Sequence, residues 1–125
     1  MICSNKIFSD HVKNTLFEGL TMTFSETIEN VKTPLDLNGF GVLVTMKLSE
    51  SSAIAYQFST GNDTIIVTDP SNGIVTLAER DDLNNVGRYV TSVYLIDPDD
   101  KLVPFFTTFW EIVPLPNYPN TVTYE

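Results

Sequence analysis

Three carboxylates fall within four residues of the stretch SVYLIDPDDK (residues 92–101): Asp97, Asp99 and Asp100. Carboxylates bind hard cations, but calcium takes about six to eight oxygens, and the EF-hand loop that supplies them is longer and closes on a bidentate Glu. A Pro-Asp pair directly after an apolar run presets a turn. A hairpin bend, without metal, is the expected role of this corner. A second acidic pair, Asp81 and Asp82 in DDLNN, has the residue types for acid–base chemistry. No further acid or cleft signal accompanies it, so both are expected as solvated turn residues.

Nucleophilic catalysis requires a nucleophile beside a base that is itself oriented. The single histidine, His11, stands without motif residues nearby and reads as a surface residue. The single cysteine, Cys3, has no cation or helix start beside it to lower its pKa. Trp110, with Phe105, Phe106 and Phe109, has the composition of a sugar-stacking platform, but rings on a late strand bury large apolar areas and are expected in the core. Phosphate-binding glycine loops, CxxC pairs and HExxH helices do not occur. The chain is therefore expected to be non-catalytic, with no cofactor and no metal.

The composition limits the partners. Seven basic against sixteen acidic residues give a net charge of −9, with the cations scattered singly, so neither nucleic acid nor an anionic membrane is an expected partner. One cysteine allows no intrachain disulfide, which fits an intracellular origin. No run approaches the ~20 apolar residues that span a bilayer, and the N-terminus has no secretion signal. A length of 125 residues suits one domain.

Strand periodicity dominates the elements that must position these residues. Leu20, Met22 and Phe24 alternate with threonines; Val42, Val44, Met46 and Leu48 alternate likewise, as do Ile54, Tyr56 and Phe58. Further β-rich runs at 64–68, 73–77, 88–96 and 102–113 are bounded by turn-forming residues. About seven short strands at such spacing predict an all-β, immunoglobulin-like antiparallel sandwich over 20–113. Its expected core includes Met22, Phe24, Val42, Val44, Met46, Tyr56, Phe58, Val93 and Trp110. Residues 88–96 alternate poorly, which fits a strand covered on both faces.

The ends read differently. Residues 1–19 form a non-sandwich N-terminal arm, with Asp10–Glu18 either a short helix capped by Asp10 and stopped by Gly19 or an extended segment. ERDDLNN, residues 79–85, has room for a turn or two of helix. Residues 114–125 form a C-terminal arm, since prolines at 114, 116 and 119 fit poorly inside a sheet. Its apolar residues Leu115, Tyr118, Val122 and Tyr124 are the candidate assembly contacts.

Several segments in order carry a resemblance: TPLDLNGF (33–40) leading into a strand, SNGIVTL (71–77), DDLNNVGRY (81–89) and VYLIDPDDK (93–101). Together they resemble the N-terminal β-sandwich domain of the phage baseplate upper protein family and related phage tail modules. The sequence departs from that family at Asp100, where the hairpin usually carries Gly, and at TTFWEI (107–112), which lacks the expected Gly. The resemblance implies a virion protein made in the host cytoplasm, a tail, baseplate or fibre-anchoring component. Its implied partners are other virion proteins, in a homo-oligomer or a multi-subunit assembly. A capsid decoration or head-fibre protein, or a glycan- or receptor-binding module, is the alternative.

Overall fold

The computed structural model describes residues 8, 10–13 and 15–114. In chain order the strands are β1 (His11–Val12), β2 (Leu20–Thr23), β3 (Ser25–Ile28), β4 (Val31–Pro34), β5 (Gly41–Lys47), β6 (Tyr56–Ser59), β7 (Ile65–Asp69), β8 (Ile74–Leu77), β9 (Gly87–Ile96) and β10 (Leu102–Val113). Two short 3-10 turns, Thr60–Asn62 and Pro70–Asn72, flank β7. The chain is all-β, and the described residues include no α-helix.

The strands form a five-stranded sheet ordered β1-β10-β9-β5-β6, a three-stranded sheet ordered β2-β8-β7, and a separate β3–β4 hairpin. Pairing is antiparallel throughout, except that β1 runs parallel to β10. The two larger sheets pack over one apolar core, to which each contributes alternate residues. All nine residues expected in that core are buried, none more than 8 % exposed. At the centre of its sheet, β9 buries Tyr89, Thr91, Val93 and Leu95 on one face and half-buries most of the residues between them. Burial along β9 alternates more regularly than its sequence does, so the strand is buried on one face and not on both.

The N-terminal segment differs from the expected arm. Its described residues hold no helix: β1 extends the five-stranded sheet, Phe17 bridges to Arg80, and Phe8 is 1 % exposed in the core. Extended backbone wins because Phe8 and His11 gain burial against β10 that an isolated two-turn helix lacks. Residues 79–85 likewise contain no helix.

The β3–β4 hairpin carries no turn signal that the sequence reading detects. Its two central residues, Glu29 (φ +51°) and Asn30 (φ +68°), both adopt the left-handed conformation of a tight hairpin turn. Glycine or Asn-Gly usually marks such turns, and Glu29 does not. Gly73, by contrast, has no substitute. It sits at φ +67°, and a Cβ there would lie 2.4 Å from the Phe24 carbonyl oxygen and 2.9 Å from that of Leu35.

Candidate functional site

The acidic corner at residues 97–100 is the bend of the β9–β10 hairpin. One carboxylate oxygen of Asp97 accepts the backbone N–H groups of Asp99 and Lys101, each at 2.9 Å. The Asp97 N–H donates to the Lys101 carbonyl at 3.0 Å, and the Asp100 N–H to that of Asp97 at 2.9 Å. Asp97 thus holds the turn together, while Asp99 and Asp100 project into solvent. Asp100 takes φ +62°, which explains why glycine suits this position and how Asp, tolerant of that region, replaces it. Among the described residues no group of three or more His, Cys, Asp or Glu is placed to share a metal ion.

Asp81 and Asp82 do not act as a pair. Asp82 binds Arg80, with guanidinium Nη2 at 2.7 Å, and this partner holds its carboxyl below the usual range. Arg80 also donates to the Gln57 carbonyl at 2.9 Å and lies over the Phe58 ring at 4.7 Å. Its own backbone exchanges two hydrogen bonds with Phe17, at 2.8 and 3.0 Å. One residue, through its backbone and its side chain, therefore fastens the N-terminal segment, β6 and the loop before β9 to one another. The cation directly before the DDLNN acids, and not the acids themselves, does the joining.

His11 is buried, 8 % exposed, which corrects the surface placement. Its Nε2 lies 3.1 Å from the Thr15 carbonyl oxygen, and its ring meets Phe17 edge-on at 6.1 Å. Trp110 is 1 % exposed, so the tryptophan platform for a sugar does not exist. The indole stacks on Phe8 at 4.4 Å and lies nearly parallel to Phe58 at 5.9 Å, with Phe17 edge-on at 5.3 Å. Among the described residues its buried Nε1 has no hydrogen-bond partner, a cost of about 1–3 kcal/mol that the surrounding aromatic contacts must offset. Phe109 alone of the group is well exposed, with the Arg88 guanidinium 3.8 Å above its ring.

A concavity with a largely apolar lining lies along β2. It holds about 240 Å³ and is lined by Leu20, Thr21, Met22, Thr23 and Phe24 on one side and Phe105 and Phe106 on the other. Successive strand residues point to opposite faces, so a groove touching five in a row follows the strand's edge rather than one of its faces. Phe105 reaches it through a β-bulge: the β9 register steps from Pro104 to Phe106, leaving Phe105 unpaired and 4.9 Å from Phe24.

No protein-family model, curated protein or solved structure matches this chain. The candidate assembly contacts Leu115, Tyr118, Val122 and Tyr124 lie outside the described residues. What the structure brings together instead is the Trp110 aromatic cluster, the Arg80 clamp and the β2 groove. Only the burial of Trp110 was visible in the sequence. A bulge at Phe105 and a cation joining residues 17, 57 and 82 leave no local pattern, because each depends on register between distant strands.

Proposed function

We propose that this chain is a non-catalytic structural protein of a phage virion, a tail, baseplate or fibre-anchoring component that acts through protein–protein assembly on an immunoglobulin-like sandwich. The observation that carries the reading is the ordered set of segments TPLDLNGF, SNGIVTL, DDLNNVGRY and VYLIDPDDK. Each has a physical part in the fold. TPLDLNGF turns into β5, its Asp36 carboxylate accepting the Asn38 N–H at 2.9 Å and thereby held below the usual carboxylate range. SNGIVTL carries the indispensable Gly73, and the other two bracket β9.

The immunoglobulin-like reading has two supports. In that arrangement the second, fifth and fourth strands share one sheet, and the third, sixth and seventh the other. The order β2-β8-β7 against β5-β9-β10, with β6 added beside β5, corresponds once the β3–β4 hairpin is set aside, whereas β1 departs from the first strand's place and pairs with β10 instead. The second support is Tyr89, near the start of β9, whose hydroxyl donates to the Asn85 carbonyl at 2.7 Å, like the tyrosine corner of such domains. Two residues on, the buried Thr91 occupies the position where antibody domains carry a cysteine.

An assembly role also fits the chemistry. Three of the candidate catalytic side chains are occupied in structure: Asp97 in a turn, Asp82 on Arg80, His11 against Thr15. Mass spectrometry and antibody labelling of purified virions from the source of this sequence test the reading. The chain should be present at a fixed copy number at one location, and deletion of residues 114–125 should leave it folded but prevent incorporation. Absence from the particles overturns it.

A further inference from the structure

The groove along β2 has an open backbone edge as well as an apolar lining. Among the described residues β2 pairs on one side only, with β8. Phe24 N–H bonds the Gly73 carbonyl at 2.7 Å, one step beyond the Thr23–Ile74 partners, which places the hydrogen-bonded pairs of the β2–β8 ladder at Met22 and Leu20. The N–H and C=O groups of Thr21 and Thr23 therefore point away from β8, into the groove, with no backbone partner among the described residues. An apolar trough beside unpaired donors and acceptors is the geometry that accepts an added strand.

We infer that this groove is a strand-acceptor site filled by residues 121–124 of a second copy of this chain. The inference rests on the assembly reading above and names the surface used. Three observations select the occupant. Thr121, Val122, Thr123 and Tyr124 alternate polar and apolar residues with high β propensity, so an added strand turns Val122 and Tyr124 together toward Met22, Phe24 and Phe105. A volume of about 240 Å³ falls below the roughly 300–1,000 Å³ of a drug-sized ligand site and suits a few side chains. Residues 114–125 carry one charged side chain, Glu125, so the tail approaches a strongly acidic body with little repulsion.

A second copy is selected over the chain's own tail by the place where β10 ends. At Val113 the outer edge of β10 is already taken: β1 pairs there, and the Lys13 N–H donates to the Val113 carbonyl at 2.9 Å. A tail folding back along that edge toward Phe105 would have to displace β1. Exchange between two copies needs no such displacement and closes as a two-fold dimer.

Sedimentation of the full chain over a dilution series tests the inference. The expected result is a reversible dimer. Thr23→Pro removes one outward N–H without touching the β2–β8 ladder, and Val122→Asp with Tyr124→Asp puts charges on the inserted face. Each variant should weaken the dimer by at least about tenfold while leaving the Tm of the monomer unchanged. The tail variant also serves if Thr23→Pro disturbs folding. A chain that stays monomeric at every concentration overturns the inference, as does a dimer indifferent to both changes. A monomer built into virions would defeat strand exchange and leave the virion reading standing, whereas a dimer missing from virions would do the reverse.

Discussion

The hydroxyl of Tyr89 donates to the carbonyl of Asn85 at 2.7 Å, while the N–H of the same Asn85 donates to the hydroxyl of Tyr56 at 3.2 Å. Two rings, edge to face at 5.6 Å, thus hold both backbone polar groups of one loop residue where the chain enters β9. Tyr89→Phe should cost about 1 kcal/mol by urea denaturation, since the hydrogen bond to the Asn85 carbonyl is lost while packing is kept. An unchanged midpoint would show that the carbonyl is satisfied otherwise.

The same tyrosine gives a pH dependence. Burial, and then the neighbouring Tyr56, raise the Tyr89 pKa above the ordinary tyrosine value. The folded state therefore keeps its proton to higher pH than the unfolded chain does. Stability should be undiminished below about pH 10, where the unfolded tyrosine titrates, and should fall as pH rises from there through the folded pKa. Tyr89→Phe should flatten that decline, and parallel curves for the two proteins would assign it to other groups.

Gly73→Ala should be among the most damaging single-methyl changes in the chain. It adds strain at φ +67° and drives a Cβ against two backbone oxygens that cannot swing aside. A loss of about 2–3 kcal/mol or more is expected, read as a fall in Tm.

The Glu29-Asn30 turn predicts the opposite sign. Replacing Glu29→Asn and Asn30→Gly supplies residues at ease with positive φ and should stabilise by roughly 0.5–1 kcal/mol. A lower Tm would mean that the Glu29 side chain contributes more than its backbone costs.

Asp97→Ala should cost roughly 1 kcal/mol by freeing the N–H groups of Asp99 and Lys101. A chelator should leave the Tm of the natural chain unchanged. A large fall on chelation, restored by calcium, would make the corner a metal site after all.

Seven of the strands and the principal core were determined by sequence alone, because a period of two with one buried face is a local property: Met22 and Phe24, or Val44 and Met46, announce their face without a partner. The Asp97 bend was equally legible, since Pro98 and the Asp97 side chain act within five residues. The β3–β4 hairpin was not, because Glu29 occupies by tertiary constraint a conformation that it does not favour. His11 and Phe8 depended on β10: a short polar-flanked segment has no stable state of its own, and the cover supplied by Trp110 and the Val113 edge decides whether it docks. The β2 groove needed most of all from the fold. Leu20 to Phe24 read as an ordinary strand, and only the order of strands in space leaves its edge open, while only the slip in register at Phe105 gives that edge an apolar wall.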